Sequence, residues 1–335
     1  MKTIIHFGPP KTGTSAVQWW CNENASLLMK SGIYYPQHTT DKNEVSSGNL
    51  LSIFDKDANR NLKLNKEKIT IVKEETIKKG AEFLLLSSEF FFLRLPELIE
   101  FFPRGKFVGY IRNPLEILDS NYNQSVKRHN NTSKIPLTKH LNCNVLNQLS
   151  GYLKKYSEIN FQLRAFSLKA FHNESIISDM LDCLGISVDV AWPSIKINKS
   201  YTHSALETKR WLNRLNLHES NVKVDSTLQS FKGDTSYYTV IPDEYYMKYQ
   251  SQASSVLKKF TDEFPVVNSE SLLEVASNSY HFKPPYYPQE ISIERFSNVI
   301  KYIKKNEPSL YKKLQQKVRQ HYGPNTVEER ALIFY

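Results

Sequence analysis

Apolar positions along the chain fall into strand-sized clusters and helix-spaced stretches that alternate through the first two thirds. Residues 3–7 (TIIHF) are β-branched and aromatic enough for a buried strand, and residues 14–28 carry apolar positions at helical spacing. Residues 32–36 (GIYYP) predict a turn and a short strand. The polar run 38–65, rich in Ser, Asn, Asp and Lys, predicts a loop-rich insertion and an expected mobile lid. A helix over 66–79 stops at Gly80, and AEFLLLSSE follows as a buried strand that ends in Ser87, Ser88 and Glu89.

Residues 106–111 predict another strand. Asn113 then caps a helix, with Pro114 in its first position and Glu116 completing a box-like start. Helical spacing over 145–160, a strand over 159–168 and a helix over 173–184 stopped by Gly185 complete the regular part. Residues 198–216 predict an amphipathic helix capped by Ser200 or Thr202. From about 217 the pattern becomes helical, interrupted and tyrosine-rich. Tyr237, Tyr238, Tyr245, Tyr246 and Tyr249 are read either as packing residues or as an aromatic platform for a sugar ring. KKLQQKVRQHYG near the end predicts a solvated helix face.

The turn after the first strand carries the most specific chemistry. In GPPKTGTS, Gly8 and Gly13 bracket a lysine, and Thr12, Thr14 and Ser15 supply hydroxyls. Backbone N–H groups at a helix start, backed by the helix dipole, form an anion cradle. A Walker A loop places its lysine directly after the second glycine. Thr14 stands there instead, and Lys11 lies inside the loop, where it suits the 5′ end of a mononucleotide beside a leaving-group oxygen.

At these residues the chain resembles the 3′-phosphoadenosine 5′-phosphosulfate (PAPS)-dependent sulfotransferases, of the bacterial, polysaccharide-type branch. The resemblance implies that Pro10, Lys11, Thr12, Gly13, Thr14 and Ser15 bind the 5′-phosphosulfate. It also covers Arg112, at the end of a predicted strand, and Ser120, eight positions on, which in that family's pattern bind the 3′-phosphate. A fixed guanidinium and a nearby hydroxyl are what such a phosphate needs. The likeness spans about residues 1–215. It implies an α/β fold with a P-loop-like parallel sheet flanked by helices, and a helical C-terminal extension at 216–335 on the acceptor side.

Composition narrows the partners. The 335 residues suffice for one large α/β domain with an extension, and the net charge of +10 is distributed along the chain, favouring anionic ligands such as PAPS and acidic glycans. Zinc-ligand spacing, ribonucleoprotein signatures and basic heptads are absent, which argues against nucleic acid. Three scattered cysteines, Cys21, Cys143 and Cys183, suit neither a disulfide framework nor a metal cluster, and are expected to be reduced. With no apolar run of membrane-spanning length and a strand starting almost at the first residue, a soluble cytoplasmic protein is expected.

The function implied is transfer of a sulfuryl group from PAPS to a hydroxyl or amine of an anionic or neutral glycan, with release of 3′-phosphoadenosine 5′-phosphate (PAP) and no metal. Lys11 is the expected catalytic cation. Glu89 and His38 are the candidate general bases, Glu89 because burial at a strand end would raise its pKa and His38 for its ordinary pKa. Two other function classes remain open: an ATP-dependent P-loop kinase of small molecules, and a non-catalytic nucleotide-binding protein.

Overall fold

A computed structural model describes residues 1–39, 47–59, 61–186, 201–217, 220–277 and 283–321. Six strands form one all-parallel sheet: β1 (Lys2–His6), β2 (Ile33–Tyr34), β5 (Phe83–Ser87), β6 (Lys106–Ile111), β7 (Asn160–Ala165) and β8 (Val266–Val267). Their spatial order is β2-β5-β1-β6-β7-β8. A separate antiparallel hairpin pairs β3 (Phe54–Lys56) with β4 (Leu62–Leu64).

The chain divides into two compact units, the first comprising Met1–Ile117, Asn142–Ile197 and Ser251–Asn278. In it, strand alternation sends neighbouring residues to opposite faces. Ile5, Phe7, Leu84, Leu86, Phe107 and Ile111 join one apolar cluster, with residues of α3 (Lys66–Lys78), α4 (Leu95–Phe101), α6 (Asn144–Lys155) and α11 (Ser269–Ser277). Ile4, Leu85, Val108 and Tyr110 join the other, with α1 (Thr14–Glu23), α2 (Ala25–Lys30) and α7 (Ile176–Cys183). Helices on both faces are what an all-parallel sheet requires.

Several expected elements are revised. The helix over 14–28 is two helices, broken at Asn24, whose side chain donates to the Trp20 carbonyl (2.9 Å). The polar run 38–65 is no free lid in its described second half. Leu50, Ile53 and Phe54 are core residues, while residues 40–46 and 60 lie outside the described set. The stretch beyond 217 is not all helical, because Val266–Val267 pairs with β7 as the sixth strand.

The second unit comprises Leu118–Leu141, Asn198–Gln250 and Ser279–Tyr335. Its described helices are α8 (His203–Leu212), α9 (Asn221–Ser230), α12 (Ile293–Asn306) and α13 (Pro308–His321). Two further helices, α5 (Pro114–Arg128) and α10 (Asp243–Glu263), run through the unit boundary. Thr202 caps α8, as one of the two expected positions, whereas Ser200 lies outside the described residues. The amphipathic helix expected here is present as α8, but its polar face is covered: every residue from 203 to 209 is buried, Glu207 and Lys209 included. Of the tyrosines, Tyr238 and Tyr249 are buried and Tyr237 is exposed, so they do not present one common face.

Candidate functional site

The first unit places GPPKTGTS at the carboxyl end of β1, the strand between β5 and β6. The chain leaves β1 toward the β2–β5 side and later returns to β6 on the other side. A reversal of strand order of this kind opens the crevice where open α/β sheets bind ligands. The loop's shape follows from its glycines and one strained residue. A Cβ on Gly8 would fall 2.0 Å from Thr14 Oγ1, so only glycine lets the helix start fold back against the strand end. Lys11 (φ 68°) and Gly13 (φ 72°) both adopt the left-handed conformation. Between them Thr12 is buried, and its hydroxyl donates to the Pro9 carbonyl (2.6 Å).

Gly13 is the N-cap of α1 and offers no side chain to the first-turn N–H groups. That leaves backbone donors of the first turn for an anion. Three side-chain atoms at this end are buried and without a partner: Thr14 Oγ1, Gln18 Nε2 and His6 Nε2. Buried polar atoms in native folds are nearly always paired, so such a gathering marks a place built for something more than packing.

Arg112 stands at the end of β6, beside the loop. Its Nη1 donates to the Lys11 carbonyl (2.7 Å) and its Nε to Glu116 Oε2 (3.0 Å), while its guanidinium lies 4.8 Å from the centre of the Phe166 ring. Glu116 thus serves the arginine rather than closing the expected capping box. Asn113 caps α5 by itself, accepting from the Leu115 N–H (2.9 Å). Ser120 is half-buried on α5, in the part of that helix grouped with the second unit.

The end of β5 is fixed from both sides. The Ser87 N–H donates to Asn49 Oδ1 (2.7 Å), the Asn49 side chain donates to the Leu85 carbonyl (3.1 Å), and Ser87 Oγ lies 2.8 Å from His6 Nδ1. Burial drives the His6 pKa down to about 4, so the ring is neutral. Ser88 accepts from the Phe90 N–H and starts a short 3-10 helix, Glu89–Arg94. Glu89 itself is exposed rather than buried at the strand end as expected. Arg94, at the end of that 3-10 helix, pairs with Glu97.

His38 is half-buried rather than a free loop histidine. Its Nε2 lies 2.9 Å from the Tyr35 hydroxyl, its backbone N–H donates to Asn22, and burial lowers its pKa from the ordinary value. Burial also pushes the three thiols up, Cys21 to about 12, which leaves them as poor nucleophiles.

Gln18, Glu116 and Phe166 join the neighbourhood of the loop without having been singled out as ligands from sequence. Gln18 had a signal: it is a polar residue on the apolar stripe of α1, between Val17 and Cys21. Phe166 had none, since a strand-end aromatic reads as core. Among the described residues, no cluster of three His, Cys, Asp or Glu side chains is arranged to hold a metal ion, and no helix is long and apolar enough to cross a membrane. Compared with known proteins, the chain matches no family model, no curated protein and no solved structure.

Proposed function

We propose that the protein is a PAPS-dependent sulfotransferase with a P-loop-like core, acting on a hydroxyl or amine of an acceptor, a cell-surface or capsular glycan being the first choice. One observation carries the proposal. The loop after β1 bends through a left-handed lysine, and the strand-end Arg112 binds that lysine's own carbonyl at 2.7 Å. The Arg112 guanidinium, the Lys11 backbone and a helix N-terminus therefore meet at one sheet end, with Gly8 and the unpartnered Thr14 hydroxyl shaping the floor. That donor set fits a 5′-phosphosulfate, with Arg112 and the sequence-expected Ser120 assigned to the 3′-phosphate.

PAPS supplies an activated sulfuryl group, and the work of the chain is positioning and charge stabilisation along an in-line path. Lys11, the Thr14 hydroxyl and the first-turn N–H groups hold negative charge at the departing oxygen. Glu89, exposed at the end of β5, is the more accessible of the two candidate bases, because His38 already has its Nε2 against Tyr35. An ATP-dependent kinase would have to act with Thr14 in the place of the Walker lysine.

The deciding experiment is a thermal melt without added metal. PAP at about 100 times its Kd is expected to stabilise the chain by about 2.7 kcal/mol, a shift of several degrees. Stabilisation only by ATP with Mg²⁺ would sink the sulfotransferase reading in favour of the kinase. No shift with either nucleotide would favour a non-catalytic protein.

A further inference from the structure

Lys11 is a non-glycine residue at φ 68°, a conformation that costs roughly 1–2 kcal/mol for an L-residue. Something must hold it there. Its carbonyl accepts from Arg112 Nη1 at 2.7 Å, and Arg112 is itself held by Glu116 at Nε and by the face of Phe166. The Phe166 ring in turn lies 3.1 Å from where a Cβ on Gly13 would be, so the same ring also abuts the second left-handed residue of the loop.

A peptide unit is planar and trans, so its C=O and N–H point in opposite directions. With the Lys11 carbonyl turned to Arg112, the Thr12 N–H of the same peptide is turned away from Arg112. Rotation of that peptide would break the bond to Arg112 and exchange an N–H donor of the loop for a carbonyl oxygen, which repels an anion. We propose that Arg112 is a positioning residue for the 5′ end of the nucleotide, setting the Lys11–Thr12 peptide so that the loop presents a donor, in addition to any contact with a 3′-phosphate. The two uses are compatible. A guanidinium has five N–H groups, of which Nε–H and one Nη1–H are engaged here, leaving one or more on each Nη for a bidentate phosphate.

This inference rests on the nucleotide-binding proposal above and makes a different prediction from it. If Arg112 only read the 3′-phosphate, its loss would leave a nucleotide lacking that group unaffected. The experiment is metal-free calorimetric titration of PAP and of adenosine 5′-monophosphate into the wild-type, Arg112→Ala and Arg112→Lys proteins. For the 5′-monophosphate, Arg112→Ala is expected to lose about tenfold in affinity, the scale of one charge-assisted hydrogen bond. Arg112→Lys, which keeps a cationic donor for the Lys11 carbonyl but not the fork, is expected to recover most of that loss while PAP affinity stays low.

An unchanged affinity of Arg112→Ala for the 5′-monophosphate, beside a fall for PAP, would overturn the positioning role and leave a 3′-phosphate ligand alone. Should Arg112→Ala fail to fold, Arg112→Met, which keeps the apolar stem against Phe166 but has no donor for the Lys11 carbonyl, decides: a loss for the 5′-monophosphate supports the role, and a loss confined to PAP overturns it. Wild-type protein that binds neither nucleotide would overturn the parent proposal instead, a result distinct from both.

Discussion

In the first unit Ile4, Leu85 and Val108 face one apolar cluster and Ile5, Leu84 and Phe107 the other, while buried polar groups such as His6, Thr14 and Ser87 gather at the carboxyl ends of the strands. The second unit follows another rule. Along α8, His203, Glu207, Thr208 and Lys209 are buried as completely as Ala205 and Leu206, and most find partners inside the unit. Glu207 takes two bonds from Arg210, Lys209 donates to Asn213, and Asp234 accepts from Ser204 and Arg295. Polar burial at one end of a parallel sheet points to a ligand. In the second unit polar burial is spread through a helical core and is only partly paired: His203 Nδ1, Glu207 Oε1 and Thr208 Oγ1 lack a partner there.

The largest expected effects test that contrast directly. Each unit has an arginine on a buried carboxylate, the buried Arg164 on Asp179 and the partly buried Arg210 on Glu207, with carboxylate side chains 2% and 0% exposed. Asp179→Ala leaves Arg164 with only the half-exposed Asp182 and removes the acceptor of the Tyr110 hydroxyl and the His172 N–H, for an expected cost of roughly 3–5 kcal/mol in urea denaturation. Glu207→Ala leaves Arg210 its bonds to the Thr132 and Gln289 carbonyls and should cost roughly 1–3 kcal/mol. A loss below about 1 kcal/mol in Glu207→Ala would mean that the Thr132 and Gln289 carbonyls satisfy Arg210 without the carboxylate.

Next comes Lys11→Ala, expected to lower turnover about 10²- to 10³-fold while reducing PAP affinity less than about tenfold. Parallel losses in kcat and in PAP binding would move Lys11 from the transition state to the ground state.

pH offers a third, smaller lever. His6 is held near 4 by burial, against about 6.5 in an unfolded chain, so between those values the unfolded state binds a proton that the folded state refuses. Stability from this group is therefore complete above pH 6.5 and declines as pH falls toward 4, with a slope of at most about 1.4 kcal/mol per pH unit. His203, also driven to about 4 by burial, acts in the same direction from the second unit. Urea midpoints at pH 7.5 and 5.0 should converge in His6→Asn relative to wild type. An unaltered pH slope would show that His6 is not the titrating group. Asn113→Ala, which removes the cap of α5, should cost only about 1 kcal/mol and a few degrees of melting temperature.

Much of the first unit was legible in the chain because its signals are local. The strands at β1, β5 and β6 announce themselves by short apolar runs, and GPPKTGTS and RNP mark turns whose glycine and proline positions admit few conformations. Other features escaped for physical reasons. Val266–Val267 is too short to differ from a loop, and it becomes a strand only because β7 offers an edge to pair with. Glu89 follows five buried residues, yet the chain turns into a 3-10 helix at Ser88 and carries it into solvent. In α8 the polar residues have helical spacing on every side, so the pattern predicts an exposed face that surrounding segments instead cover.

By itself the sequence determined which residues can turn, cap and pair with an anion: Gly8 and Gly13 for close approach and left-handed backbone, Asn113 before Pro114, and Lys11 displaced from the Walker position. These are consequences of covalent geometry and side-chain chemistry within a few residues. Tertiary structure alone decided that Arg112 reaches 101 positions back to the Lys11 carbonyl, that Glu116 serves that arginine, and that His6 meets Ser87. Hydrogen bonds of that kind depend on strand order and register, which bring distant segments to one end of a sheet, and no local pattern specifies either.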